Sequence, residues 1–353
     1  MYYLKKIYQI LIFLIALTIG ICALFFDVVI STRLEILTVL LVLPGLFFAS
    51  FLAEAVHELG HLLFGKLFGM KAEVLQIFCF RVSFSSKSFS IVKPDVFGRY
   101  SMSPIKSDKM AFRYAMTTFG GLLFSLLYLI LTCVCLGNGG FFHYLLGYGA
   151  PVAFYLFFHN AFPYTTETGK TDGRILYGIW KKEPDAEVTI RIMRIQALLL
   201  TQSPAEIEES LYFDLPVLPE DDRNFLLLTQ LRYLYYLDKG DLEGVRKEDL
   251  RLQDLIPYLD EEDLDEVYNL LLYDCCKVDR DEEGAKALFE RQGELLLAQN
   301  TMTSYRILAA YHQTFGDGCL IEPYLKKGLA CKENASGIAK MEERLLQEMQ
   351  SSF

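Results

Sequence analysis

Residues 51–70 read FLAEAVHELGHLLFGKLFGM, an apolar stretch that carries HELGH at His57–His61. A carboxylate and two imidazoles cost several kcal/mol at bilayer depth unless they are paired, ligated or turned toward a polar interior. On a helix, residues four apart share a face. His57 and His61 can therefore offer one nitrogen each to a single metal ion, with Glu58 beside them to take a proton from water. Five letters of which three are chemically fixed form a modest signal alone, and the surrounding chain has to supply the rest.

That chain is apolar: 52% of its 353 residues are hydrophobic. Ile7–Phe26 has no charge over a length that spans a ~30 Å hydrocarbon core, and it reads as an uncleaved first helix. Ile36–Ala53 is the next uncharged run. Pro44-Gly45 predicts a kink in it, and it continues as a helix through HELGH to about Phe68. Leu122–Leu136, starting near Met110 and containing Gly120-Gly121 for close helix contact, gives a third span. Phe141–Phe158, interrupted by Gly147, Gly149 and Pro151, gives a fourth.

Basic residues orient these spans. Lys5 and Lys6 precede the first, and nine Lys and Arg lie between Lys66 and Arg113. Arg33 is the one basic residue between the first two spans, and Gly137–Gly140 has none. The positive-inside rule puts both termini and the 66–113 segment in the cytoplasm of a multi-pass cell-membrane protein. Within that segment Val74, Phe78, Phe80, Val82 and Phe84 alternate as on a strand, and Ser85-Ser86 suits a turn. This strand is the expected edge on which an extended substrate adds main-chain hydrogen bonds.

After Trp180 the character changes. Residues 1–173 hold 13 Lys and Arg against 9 Asp and Glu, whereas the remainder holds 21 against 35. The division predicts a membrane domain over 1–180 and an acidic, water-facing domain over 181–353. The acidic part argues against nucleic acid as a partner, and no G-x-x-x-x-G-K-[ST] run is present to bind nucleotide. Ser203-Pro204 suits a helix start. YLDKGDLEGV from Tyr236 and CKVDRDEEGA from Cys276 set Asp241 and Gly244 against Asp281 and Gly284, and HQTFGDGCLI places Asp317 in a weaker third copy. Helix, polar turn, helix at this period predicts an all-α tetratricopeptide-like repeat domain with a protein partner. The eight cysteines show no ligand spacing and read as buried free thiols.

A third metal ligand belongs further along, in FFHNAFPYTTETGKTDGRIL, which contains Asn160, Pro163, Asp172 and Gly173. HELGH in one membrane helix, followed about a hundred residues later by N-x-x-P and D-G, resembles the site-2 protease family of intramembrane metalloproteases over roughly residues 35–176. The resemblance implies a membrane core of about four helices with a short membrane-proximal β element. It implies Zn²⁺ held by His57, His61 and Asp172, Glu58 as general base, and Asn160 as the group that orients substrate or the developing oxyanion. It implies cleavage of membrane-spanning protein or peptide substrates. The sequence departs from the family's N-x-x-P-x-x-x-L-D-G: eight residues separate Pro163 from Asp172, and Thr171 replaces the Leu. Glu167, inside that insertion, is a substitute ligand, and Glu54, one turn before Glu58, is a candidate to orient a ligand histidine. His143, His159 and His312 read as packing residues. The competing reading is a catalytically silent membrane scaffold, or an accessory of peptide export or immunity, acting through its helical repeats.

Overall fold

Tyr2–Phe25 forms helix α1 and Ile36–Leu67 forms helix α2, which keeps Pro44 inside it. Four strands follow: β1 (Met70–Ile77), β2 (Phe80–Ser83), β3 (Ser88–Ile91) and β4 (Arg99–Pro104). Helix α3 covers Met110–Asn138, α4 Ala150–Ala161, α5 Asp172–Lys181 and α6 Pro184–Leu198. The computed structural model describes residues 2–25, 36–93, 99–138, 146–166, 169–217, 219, 223–259, 261–331 and 336–352. The chain divides into two units, 1–186 and 187–353.

In the first unit, three of the described helices are long and apolar enough to cross a membrane: Leu4–Phe25, Pro44–Leu67 and Met110–Leu136. The expected fourth span differs. Residues 141–145 lie outside the described residues, and the helix that follows is only the 12 residues of α4. At 1.5 Å per residue that is about 18 Å, short of a ~30 Å core. The local cause is visible at Gly147, where a Cβ would sit 2.9 Å from the Leu136 Cα, so the chain turns hard against the end of α3. Pro151 then opens α4 in the first turn, where its missing N–H is no loss.

Helices α2 and α3 cross through glycine. A Cβ on Gly60 would lie 2.5 Å from the Gly120 carbonyl oxygen, and one on Gly120 equally near that of Gly60. Small residues at a crossing let two backbones approach, and here they bring the HELGH face of α2 directly onto α3.

The sheet is antiparallel with order β3-β2-β1-β4. The single strand read over Val74–Phe84 is therefore a hairpin. Phe78 takes a left-handed conformation (φ 54°), reversing the chain between β1 and β2, and Glu54 of α2 accepts the Phe78 N–H at 2.7 Å. Ala72 and Leu75 of β1 pack on Leu62 of α2, while Phe78 and Phe80 meet Phe47 and Phe51 edge-on. The hairpin thus runs back alongside the apolar span of α2 rather than resting at its end. The eight cysteines are free thiols, but only Cys135 and Cys276 are buried; Cys22, Cys133 and Cys319 are exposed, so the expectation of burial holds for two of them.

The second unit is helical. It continues α6 into α7 (Ser210–Phe213), α8 (Arg223–Lys239), α9 (Leu242–Leu255), α10 (Glu261–Lys277), α11 (Glu282–Gln299), α12 (Met302–Thr314), α13 (Ile321–Ala330) and α14 (Gly337–Ser351). The helix expected from Ser203-Pro204 is one 3-10 turn, Pro204–Glu206, closed by Glu206 accepting the Ser203 N–H. The sequence-matched turns share their geometry. Asp241 caps α9 by accepting the Gly244 N–H at 3.1 Å, and Asp281 caps α11 by accepting that of Gly284 at 3.2 Å. A left-handed residue precedes each, Gly240 and Arg280. Asp317 departs, accepting from Cys319 at the head of a 3-10 turn. Arg306 and Glu342 form a fully buried ion pair at 2.5 Å that ties α12 to α14, with the Arg306 guanidinium 4.1 Å over the Tyr273 ring of α10.

Two buried carboxyls face one another between α9 and α10. Tyr233 donates to Asp274 at 2.7 Å and Gln253 to Asp249 at 2.8 Å. Burial pushes Asp249 up to about 6, and burial with the Asp249 charge pushes Asp274 well above the usual carboxylate range. Both folded-state values lie above those of an unfolded chain, so the folded state binds more protons and stability falls as pH rises from about 4 through neutrality. Asp274→Asn keeps the shape and removes the titration. It is expected to raise the unfolding temperature near neutral pH and to flatten the pH dependence. Thermal melts of wild type and variant across that range check this, and parallel curves would remove the pair as the cause.

Candidate metal centre

His57 and His61 lie one turn apart on α2, and both are buried. Asp172 reaches them from the first residue of α5. Its Oδ2 lies 3.3 Å from His57 Nε2 and 3.4 Å from His61 Nε2, and the two nitrogens are 3.2 Å apart. His57, His61 and Asp172 are the one His/Cys/Asp/Glu group among the described residues with the spacing of a metal site.

The donor set fits a tetrahedral ion. Bonds of about 2.0–2.1 Å to nitrogen and oxygen place neighbouring donors about 3.3–3.4 Å apart. The hydrogen bonds behind the ligands agree. His61 Nδ1 is 2.9 Å from the Thr117 carbonyl oxygen. That oxygen can only accept, so Nδ1 carries the hydrogen and Nε2 turns a lone pair inward. His57 Nδ1 is likewise held by Ser125 Oγ at 2.8 Å. Asp172 Oδ2 is buried with no hydrogen bond to satisfy it. Three acceptor atoms at this spacing repel one another unless a cation or a proton lies among them.

Helix α3 supplies the wall. Thr117, Gly121 and Ser125 are spaced four apart on one face, with Thr117 opposite His61 and Ser125 opposite His57. Gly121 stands between them, where a Cβ would fall 2.2 Å from His61 Nε2. Reading the sequence for ligands alone passed over this stripe. Its signal was a run of small and polar residues at helical spacing inside an apolar helix. Tyr100 of β4 was missed as well. Its ring stacks on His61 with centroids 4.1 Å apart and planes 17° apart, closing one side of the site.

The remaining sequence candidates fall as follows. Glu58 is buried beside the two histidines on α2. Asn160, at the end of α4, puts Nδ2 3.4 Å from His57 Nε2. Glu54 caps the β1–β2 turn through Phe78. Glu167 and His143 lie outside the described residues. His159 and His312 make packing and turn contacts, with Tyr164 and with the Asp317 N–H.

The long Pro163–Asp172 interval resolves into a pinched loop. Thr165 and Lys170 form a β-bridge, and the Thr166 N–H donates to the Gly169 carbonyl at 2.6 Å. Thr171 closes the loop, its N–H donating to Tyr164 O and its hydroxyl to Phe162 O at 2.7 Å. It then caps α5 by accepting the Arg174 N–H. Gly173 permits this return, because a Cβ there would lie 2.0 Å from the Ala161 carbonyl oxygen at the end of α4. The chain leaves α4, turns and comes back, so Asp172 arrives beside Asn160 despite the added residues. No family model, no curated protein and no solved structure matches this chain.

Proposed function

We propose that this protein is a zinc-dependent endopeptidase of the site-2 protease type, cutting a peptide bond of a membrane-spanning substrate at the cytoplasmic side of the bilayer. The observation that carries the reading is the convergence of His57 Nε2, His61 Nε2 and Asp172 Oδ2 within 3.2–3.4 Å, on a helix whose apolar span also holds Glu58. Zinc bound by these donors would lower the pKa of a coordinated water from ~15.7 toward ~7 and polarise the scissile carbonyl.

The chain's own groups divide the remaining work. Glu58 takes the proton from the attacking water and returns it to the leaving amine. Asn160, a neutral amide next to His57, donates to the oxygen on which negative charge develops. Thr117 and Ser125 hold the imidazoles so that neither ring turns as charge moves. Tyr100 covers one side of His61, which excludes water there and strengthens the electrostatic contacts inside.

The sheet suggests where the substrate lies. β1 and β2 are each paired on both sides, so the edge predicted at Val74–Phe84 is not free. β4 is an outer strand of the described sheet and carries Tyr100 against His61. An unwound substrate segment pairing with β4 would pass the metal centre. The second unit, with its two matched helix-turn-helix copies, is the surface for a protein partner in this reading; because Lys5 at the start of α1 meets Thr165 just after α4, the short α4 returns the chain to the side of the N-terminus, and both termini lie in the cytoplasm.

Detergent-purified protein is expected to hold about one zinc per chain. Reconstituted in liposomes, it should cleave a transmembrane reporter in a way that a chelator stops and added zinc restores. Well-folded protein with no zinc, or cleavage indifferent to the chelator, would end the proposal.

A further inference from the structure

Eight residues separate Pro163 from Asp172, and the ends of that interval are held from outside as well as by Thr171 and Gly173. Among the described residues of the 164–171 segment, Thr165 and Lys170 form a β-bridge. The outer side of the segment rests on α1. Lys5 Nζ donates to the Thr165 carbonyl oxygen at 2.6 Å, Tyr8 Oη to that of Phe158 at 2.8 Å, and Gln9 Nε2 to Tyr164 Oη at 3.4 Å. The Tyr8 ring stacks on Phe162 with centroids 3.9 Å apart. From the other side, the Tyr164 hydroxyl meets His159 Nδ1 at 2.6 Å.

These contacts are ordered along α1. Lys5, Tyr8 and Gln9 share one face at helical spacing, and that face continues into Ile12 and Ala16, both buried. Leu4, Ile7, Ile10 and Leu11 are exposed on the remaining surface of the helix. The packed stripe of a membrane helix therefore ends in three polar contacts, all on the end of α4 or on the loop that returns the chain to Asp172.

Resting on the zinc reading above, we infer that the first turns of α1, through Lys5, Tyr8 and Gln9, act with Tyr164 and His159 as a clamp that positions Asp172 at the metal centre. None of these residues is among the three donors, so each acts through the loop. The clamp makes the placement of the N-terminal helix a condition for a complete ligand set. Tyr164 is the hub: its ring lies among Tyr8, Phe162 and His159, its hydroxyl meets Gln9 and His159, and its carbonyl accepts the closing Thr171 N–H.

The test uses the full chain in detergent, with zinc affinity by chelator competition, the visible spectrum of Co²⁺-loaded protein, and thermal unfolding of metal-free protein. Tyr164→Ala is expected to weaken zinc binding by roughly 10–100-fold, to alter the Co²⁺ bands, and to lower the unfolding temperature of metal-free protein through the lost buried ring, a loss that Tyr164→Phe avoids. Tyr164→Phe and Tyr8→Phe keep the rings and lose the hydroxyls, so each should weaken binding by a few-fold. Tyr177→Phe, on the exposed face of α5, should change nothing. Zinc affinity and Co²⁺ bands equal to wild type in Tyr164→Ala, with zinc still lost in His57→Ala, would overturn the clamp alone. Zinc retained in His57→Ala would overturn the metal-centre reading and the clamp with it. Should Tyr164→Ala fail to fold, Tyr164→Phe and Lys5→Met decide, and wild-type affinity in both overturns the clamp.

Discussion

Glu58→Gln is expected to lower peptide-bond cleavage on the order of 10²–10⁴-fold while zinc content stays at the wild-type level. The carboxamide matches the carboxylate in shape, so packing around this buried position is undisturbed. What it lacks is the ability to take a proton from water and return it to an amine. Glu58 is one residue from His57, about 100° around the helix from it, and the three converging donors do not include it. The metal should therefore remain. Single-turnover cleavage of a transmembrane reporter, with zinc measured on the same preparation, checks both halves. Full activity in Glu58→Gln would remove the general base. In cells, retained biological function with the variant would favour the silent scaffold, which has no use for the carboxylate.

The parts legible in the sequence were those whose signal is local. Length and absence of charge gave α1, the first part of α2, and α3, because a membrane helix must satisfy its own backbone and leaves a long apolar run behind; apolar continuity carried α2 on through HELGH. The spacing of His57 and His61 follows from the helical repeat. Asp172 came from resemblance, and the structure brings it to the histidines by a route the sequence did not reveal. A loop closed by Thr171 hydrogen bonds and a backbone approach at Gly173 looks, in one dimension, like an insertion of unknown course. The β1–β2 reversal was hidden for a related reason. Apolar alternation continues through Phe78, and nothing in a phenylalanine announces a left-handed conformation. It is stabilised from α2, by the Glu54 carboxylate.

Other features escaped because they depend on two segments at once. Thr117, Gly121 and Ser125 are unremarkable until α3 lies against HELGH. They then supply a carbonyl, a gap and a hydroxyl in register with the two histidines. Arg306 and Glu342 lie 36 residues apart and are paired in the core of the second unit. Burial of such a pair without a partner would cost several kcal/mol, so its position is informative only once the partner is seen.

Asp172→Ala is expected to remove zinc from the purified protein, with a loss of affinity greater than the roughly 10–100-fold that an outer hydrogen-bond partner costs. Two imidazole nitrogens 3.2 Å apart would be left to hold the ion without the carboxylate that neutralises part of its charge. Asp172 is also the first residue of α5, but its side chain does not cap that helix; Thr171 does, through the Arg174 N–H. Thermal unfolding of metal-free protein should accordingly stay close to wild type, which separates loss of a ligand from loss of the fold. Asp172→Asn retains the size and a weakly donating oxygen, and belongs between wild type and alanine in affinity. His57→Ala provides the reference for a lost ligand. If zinc left with His57→Ala but stayed with Asp172→Ala, the convergence of the Asp172 carboxylate on the two histidines would be an ion pair and not a ligand set. The third donor would then have to come from elsewhere in the loop, and Glu167 is the acidic residue there to replace next.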